Sequence, residues 1–242
     1  MKIFIINEML APEAENFLKQ HGMPIPVPRN PALSAAECCH ADMQFTKIDD
    51  VTLVCAPEVP ESLRCRLIRA GIAVHPGSTA LTEKYPGNIA YNLLRVGAHC
   101  FHHTKYTDPL VHALLSERKI QIHAVRQGYT GCSSVAIPVS DGKTLLLSSD
   151  QGVISAAETF PEIIPVHFTD TPHILLEGCD HGFIGGCCGY DRQLGLLLYG
   201  KINRQLSELS AAYHFQITSI YDGPLTDIGG ILIMYPAQQA QD

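Results

Sequence analysis

Residues 126–138 read RQGYTGCSSVAIP, a glycine-rich turn that runs directly into the small and β-branched side chains of a short strand. Asp141 and Gly142 follow with the turn signal of a hairpin, so the pattern predicts a strand over residues 132–139 paired with the next strand of the chain. The turn places Cys132 where the strand begins, and a thiol in that position can face a cavity. The rest of the chain repeats the elements that surround this segment.

A unit of two strands, a helix and a third strand recurs four times. Each copy has a turn between its first two strands and a helix before its last strand; in the first copy Leu63, Leu67 and Ile68 are predicted on one helix face. The predicted units cover residues 42–75, 88–125, 132–168 and 183–221, with helices at 60–71, 107–119, 153–160 and 204–213. The opening positions 42, 88, 132, 185 and 227 are separated by 46, 44, 53 and 42 residues, a near-constant period that is typical of a repeat architecture.

The two ends of the chain complete a fifth unit. Residues 2–27 predict a strand, a helix over residues 11–22 and a second strand, so this unit lacks its first strand. A strand predicted over residues 228–235 supplies it, and a polar tail follows. The sequence therefore predicts one α/β domain over residues 1–242, a five-fold pseudosymmetric ββαβ propeller. The termini would close one blade, and the first strands would line a central channel. An ordinary α/β sheet with hairpins is the alternative.

The composition describes a globular protein with an acidic balance of charge. With 242 residues and 46% hydrophobic side chains, the chain is long enough to bury a core. A net charge of −7 without any run of lysine and arginine argues against a nucleic-acid or membrane partner, and no apolar run is long enough to span a bilayer. Nine cysteines without a secretion signal point to free thiols in the cytoplasm. The acidic balance suits a small cationic ligand.

Three short motifs occur in the order and spacing of a known superfamily. They are His40-Ala-Asp42, residues 86–92 with the sequence PGNIAYN, and residues 126–133 with the sequence RQGYTGCS. Together with the five-unit architecture they resemble the penteins, the guanidino-group-modifying enzymes, and are most similar to dimethylarginine dimethylaminohydrolase and arginine deiminase. That family also has an acidic residue one unit before the histidine, a position that Asp227 fills if the chain is circularly permuted. The resemblance implies the propeller fold with its site at the channel.

The resemblance also implies a cysteine hydrolase or transferase that acts on a small guanidine- or amidine-containing molecule. Cys132 would attack the central carbon to give a thiouronium intermediate, while His40 protonates the departing amine and then activates water. Asp227 would orient the imidazole ring. The residues expected to contact the substrate are Asp42, Asn88, Asn92, Ser133 and Cys187. No cofactor or metal is expected, and a homodimer is left open.

The same residues have simpler interpretations. A cysteine is often buried as packing, aspartates such as Asp42 and Asp227 are suited to turns, and buried asparagines often bond to backbone. Residues 182–189 read GFIGGCCG and have no acidic residue where the family holds its guanidinium group. Their small side chains suit close packing of a strand. The alternative makes Cys187 the nucleophile, or the redox partner of Cys132.

A non-catalytic pentein is the alternative from another functional class. It would be a binding module, as in the translation-factor branch of the fold, or a small-ligand sensor, and neither needs a paired Cys132 and His40. His99, His102 and His103 have too few neighbouring ligands in the sequence for a metal site. They are predicted on a solvated or core-edge strand, with His99 and His103 on one face.

Overall fold

Five separate three-stranded sheets form the protein, which a computed structural model describes over residues 1–236. The strands are β1 Ile3–Asn7, β2 Met23–Val27, β3 Phe45–Lys47, β4 Thr52–Cys55, β5 Ala73–Pro76, β6 Leu94–Val96, β7 His99–His102, β8 Gln121–Ala124, β9 Ser134–Pro138, β10 Thr144–Ser148, β11 Ile163–His167, β12 Cys188–Asp191, β13 Gly195–Leu198, β14 Ile217–Ser219 and β15 Leu232–Met234. The helices are α1 Pro12–His21, α2 Ala41–Gln44, α3 Glu61–Arg69, α4 Pro109–Glu117, α5 Thr130–Ser133, α6 Gln151–Ala157 and α7 Arg204–Tyr213. From residue 237 on, the predicted polar tail lies outside the described residues.

All five sheets have the same internal order. The first strand pairs antiparallel with the middle strand, and the middle strand pairs parallel with the third, which it reaches through a helix. The sheets are β15-β1-β2, β3-β4-β5, β6-β7-β8, β9-β10-β11 and β12-β13-β14. A parallel pair needs such a crossover, whereas an antiparallel pair needs only a turn. The repeated ββαβ unit is therefore confirmed, and a single continuous α/β sheet is excluded for residues 1–236.

The chain termini share one sheet, as predicted. Ile3 of β1 lies opposite Met234 of β15, and Phe4 lies opposite Ile233. Every residue of β1 is buried, because the strand packs between the cores on both of its faces. The pairing of the two ends therefore stabilises the sheet by apolar burial as well as by hydrogen bonds.

The first strands of the five sheets surround a common space. A cavity of about 750 Å³ is lined by Thr46 of β3, Leu94 of β6, Val135 of β9, Cys188 of β12 and Leu232 of β15. No helix within residues 1–236 is long and apolar enough to cross a membrane.

The first strands begin later than the sequence predicts. The strand expected from residue 42 is preceded by the helical turn α2, and the one expected from residue 132 is preceded by α5. Likewise β6 begins only at Leu94, β15 only at Leu232, and a 3-10 turn at Gly185–Cys187 precedes β12. The backbone of α5 is held in its turn by hydrogen bonds to another unit, a contact that local propensity does not contain.

The helix α3 differs from its prediction at one position. Leu63 and Leu67 are buried against the core, but Ile68 is 52% exposed. Because an α-helix turns by 3.6 residues, Ile68 lies about 140° around the axis from Leu63 and leaves the buried face.

Candidate active site

The turns that precede the first strands bring Cys132 and Asp42 together. Cys132 lies on α5 and Asp42 on α2, and both are buried. The Cys132 thiol donates to Oδ2 of Asp42 over 3.0 Å, across 90 positions of sequence. The backbone N–H of Asp42 donates to the carbonyl of Gly229, which ties this carboxylate to the unit of Asp227. The segments around Asp42, Cys132 and Asp227 are therefore joined by hydrogen bonds at one place.

Asn92 holds the cysteine turn from a third unit. Its Oδ1 accepts the backbone N–H groups of Gly131 (2.9 Å) and Cys132 (3.1 Å). Its Nδ2 donates to Sγ of Cys132 over 2.9 Å and to the backbone carbonyl of Asp42 over 3.2 Å. These four bonds use the two donors and two acceptor sites of a primary amide. Asn92 was expected to contact the substrate, but its hydrogen-bonding capacity is spent on the protein itself.

His40 and Asp227 form a second buried pair beside the thiol. Nδ1 of His40 lies 3.8 Å from Oδ1 of Asp227. The two oxygens of Asp227 accept the backbone N–H groups of Phe183 (2.9 Å) and Gly229 (3.0 Å), so the carboxylate is fixed in place. No hydrogen bond joins His40 to Cys132 within residues 1–236. Asp42, which lies two residues after His40 in the chain, is the residue that bonds to the thiol instead.

Two glycines make room for this pair. Gly229 has φ +74°, and a Cβ atom there would overlap the side chain of His40. A Cβ atom on Gly186 would overlap the carboxylate of Asp227. Glycine at positions 186 and 229 is therefore required for steric reasons at the site itself.

The surroundings of Cys132 favour the protonated form of its thiol. Burial, Asp42 and Asp227 all raise the pKa of the thiol well above its usual value, and only the N–H of Asn92 acts in the other direction. Burial also raises the pKa of Asp42 to about 6, with His40 opposing and Asp227 adding to the shift. Cys132 is thus a neutral thiol in the free protein at neutral pH. Burial and the two carboxylates therefore oppose activation of the thiol in the free protein.

Within residues 1–236, two buried oxygens of this site have no hydrogen-bond partner. They are Oδ1 of Asp42 and Oδ1 of Asn88. The amide of Asn88 donates to the Tyr129 hydroxyl (2.8 Å) and to the carboxylate of Glu37 (3.3 Å). A buried acceptor without a donor is costly, so both oxygens are suited to a ligand that brings N–H groups.

Glu37 and Tyr129 belong to this site and were not predicted. Each lies three residues before a predicted site residue, Glu37 before His40 and Tyr129 before Cys132. The backbone N–H of His40 donates to the carbonyl of Glu37 over 2.9 Å, so the two residues share one turn. Position in the same turn is the signal that would have found them.

Ser133 and Cys187 lie near the site but bond elsewhere. The Ser133 hydroxyl is 3.3 Å from the hydroxyl of Ser134, and the Cys187 thiol donates to the carbonyl of Phe183 over 3.3 Å. Burial raises the pKa of Cys187 well above its usual value, with Asp227 and Cys188 adding to it. A Cβ atom on Gly185 would overlap carbonyl oxygens of the Cys132 turn. The close packing expected of residues 182–189 is therefore present.

The histidines of β7 are bonded within the fold. His102 is buried between the Thr107 hydroxyl (2.7 Å) and the carbonyl of Ile89 (3.0 Å), so of the two positions predicted for this strand, solvated or at the core edge, the solvated one is excluded. Burial lowers the pKa of His102 to about 4. His103 follows the end of β7, so it shares no strand face with His99. Within residues 1–236 no group of three His, Cys, Asp or Glu side chains is placed to hold a metal ion.

Solved structures with a similar fold include an amidinotransferase and an arginine dihydrolase. SxtG, an amidinotransferase from Microseira wollei, aligns at 11% identity with a TM-score of 0.58, over 99% of this chain and 96% of its own. The substrate-bound N-terminal domain of ArgZ, a cyanobacterial arginine dihydrolase, aligns at 12% identity with a TM-score of 0.53, over 96% of this chain and 95% of its own. Whole ArgZ has a TM-score of 0.52 at 11% identity; the match covers 99% of this chain but only 40% of ArgZ. At these identities the likeness establishes the fold, which is that of the pentein superfamily.

No curated protein matches the chain by sequence. A family model, described as a family of unknown function (DUF6873), matches residues 5–232 and so includes every residue of the candidate site. The chain belongs to this family of unknown function, DUF6873, and has the pentein fold.

Proposed function

We propose that this protein is a cysteine-dependent enzyme that cleaves or transfers at a C–N bond of a small guanidine- or amidine-containing molecule. The five sheets would act as a propeller-like ring around this site. The observation that carries the proposal is the contact of the Cys132 thiol with Asp42 in a buried site that retains an unpartnered carboxylate oxygen. The pentein fold supports the same chemistry, since its solved examples include an amidinotransferase and an arginine dihydrolase.

The site is suited to a planar cation. Oδ1 of Asp42 and Oδ1 of Asn88 would accept N–H groups of the substrate, and Glu37 adds negative charge beside Asn88. With a pKa of about 6, Asp42 is mostly ionised at neutral pH. Gly185 and Gly186 contribute no carboxylate to the site. The cation would therefore be bound from the side of Asp42 instead.

Substrate binding would activate the thiol. The positive charge of an amidinium group beside Asp42 offsets the carboxylates that raise the pKa of Cys132, so the thiol loses its proton only when substrate is present. Sγ then forms a bond to the amidinium carbon, and the thiol proton passes to Asp42 and from there by way of His40 to the departing amine as the C–N bond breaks. In hydrolysis His40 takes a proton from water as the new C–O bond replaces the C–S bond. In transfer, an amine takes the place of water.

The setting fits a reducing compartment. All nine cysteines are free thiols, and we propose a cytoplasmic location and a small cationic substrate on this basis and on the net charge of −7.

Chloroacetamidine tests the proposal, because it carries an amidinium group next to an electrophilic carbon. We expect it to alkylate Cys132 faster than neutral iodoacetamide does, with Cys179, an exposed thiol, as the internal control in the same peptide map. The preference for the amidine should be lost in Asp42→Asn, which removes the carboxylate charge but keeps the side-chain shape. Equal labelling by the two reagents, or labelling concentrated on Cys187, would refute Cys132 as the amidine-directed nucleophile. Reversible binding of acetamidine without labelling would favour the ligand-sensor alternative.

A further inference from the structure

The cavity between the first strands has two chemically different ends. Asp42 lies at one end, beside the thiol site. At the other end the lining includes Lys47 of β3, Arg95 of β6 and Arg192, which follows β12. Three different sheets therefore each bring a cation to the same opening.

These cations outnumber the carboxylates that neutralise them. Nζ of Lys47 lies 3.1 Å from Oδ1 of Asp50, and Arg192 pairs with the other oxygen of the same side chain. Within residues 1–236, Arg95 has only backbone partners, the carbonyls of Gly97 and Ile48. Of the three cations, two therefore share one carboxylate and the third pairs with none in this part of the chain.

The other carboxylate at this end is already engaged. Asp49 pairs with Arg118, whose Nε donates to it over 2.6 Å. The opening therefore has a local excess of about two positive charges on a protein whose net charge is −7. Such a local field attracts anions.

Lys47 is a cation whose charged form the cluster destabilises. Burial lowers the pKa of its ammonium group, Asp50 opposes the shift, and Arg192 and Arg95 lower it further. An anion at this position would relieve that repulsion.

An aromatic ring contacts two of the cations at this end of the cavity, and apolar side chains line the cavity further in. The Tyr235 ring has the Arg192 guanidinium 4.4 Å and the Lys47 ammonium 5.4 Å from its centroid. Inward from there, Val135 and Leu232 line the cavity. A volume of about 750 Å³ is in the range of small-molecule pockets.

We propose that this outer end of the cavity is a binding site for a small organic anion. Its carboxylate or phosphate group would lie among Lys47, Arg95 and Arg192, with its apolar part directed along the channel. The site is separate from the Cys132 site and does not depend on the proposed reaction.

Calorimetric titration with citrate and with inorganic phosphate tests the site. We expect saturable binding of at least one of them at millimolar concentration, weakened by added salt, and the tighter of the two identifies the preferred anionic group. Arg95→Gln and Arg192→Gln should each weaken binding about tenfold, the effect of one charged hydrogen bond. Arg204→Gln is the matched control, because Arg204 is an exposed helix residue paired with Glu208 and outside the cavity.

A gain of affinity separates this proposal from a folding defect. Asp50→Asn removes the one carboxylate that Lys47 and Arg192 share, so it should strengthen anion binding, which a misfolded protein cannot do. All four variants should keep the chloroacetamidine reactivity of Cys132, so that failure here is distinct from failure of the proposed reaction. The inference is overturned if neither anion binds the wild type, if both arginine variants bind as the wild type does, or if Asp50→Asn does not strengthen binding.

Discussion

Asn92 and Asp42 bond to the same sulfur atom with opposite effects on its proton. The amide N–H of Asn92 stabilises a thiolate, whereas the carboxylate of Asp42 stabilises the neutral thiol. Burial and Asp227 add to the effect of Asp42, so the neutral form prevails until a cation enters. The acidity of Cys132 is therefore set by burial and by residues 40, 90 and 95 positions away from it in sequence.

Substituting each partner should move the pKa of Cys132 in opposite directions. Asn92→Asp keeps an acceptor for the N–H groups of Gly131 and Cys132 but replaces the N–H that donates to Sγ with negative charge, so the pKa should rise. Asp42→Asn removes a carboxylate, so the pKa should fall. We expect at least about a tenfold change in iodoacetamide labelling of Cys132 in each direction at fixed pH, which corresponds to one pKa unit. The measurement is the pH dependence of labelling, mapped cysteine by cysteine.

Cys179 is the control for those variants. Cys179 is an exposed thiol. Its partial burial and the nearby carboxylates of Glu37, Asp227 and Asp180 raise its pKa, and neither variant alters these three residues. Its labelling profile should stay constant. A shift of Cys132 in the same direction in both variants would contradict the assigned roles of Asn92 and Asp42.

At the scale of elements, the site residues occupy the turns just before the first strands. The helices and the later strands of each unit form close to their predicted bounds, because apolar periodicity and glycine or proline at their ends are local signals. The turns α2 and α5 were predicted as the beginnings of strands. Apart from Met43 their residues are small or polar, and local propensity does not separate a helical turn from a strand in such a sequence. Their conformation depends on hydrogen bonds to other units.

Gly229 offers a test of how tightly such a turn is packed. Gly229→Ala should destabilise the protein by more than Gly142→Ala, although both glycines have similar positive φ values, +74° and +70°. At Gly142 the added Cβ meets open space, so only the backbone cost of about 1 kcal/mol applies. At Gly229 the Cβ also displaces His40.

Denaturant unfolding of the two glycine variants and the wild type gives the comparison. Equal losses of unfolding free energy would show that the turn at Gly229 yields to accommodate a side chain, and that His40 is not held as tightly as its contacts indicate.

For the molecule as described over residues 1–236, β1 and β15 lie side by side in one sheet, so the point where the chain begins should be exchangeable. A circular permutant that joins residue 236 to Met1 by a short flexible linker and opens between Asp141 and Gly142 cuts an exposed turn. We expect it to fold with a melting temperature only a few degrees lower and to keep chloroacetamidine labelling of Cys132.

Opening the chain inside α5, between Thr130 and Gly131, is the matched control. That cut releases the turn that Asn92 holds, so labelling of Cys132 should be lost. Loss of folding in the Asp141–Gly142 permutant would show that the β15–β1 pairing needs the natural order of the chain.

The sequence by itself determined the repeated ββαβ unit, the closing of the fifth unit by the two termini, and the candidates Cys132, His40, Asp42 and Asp227. These follow from local periodicity, turn residues and short motifs, which are encoded within a few tens of residues. Only the tertiary structure decided that Asn92 serves the cysteine turn, that Glu37 and Tyr129 join the site, and that the Cys132 thiol is held neutral. The reason is physical: burial and the charges of distant segments set hydrogen-bond partners and pKa values, and neither exists until the sheets have packed.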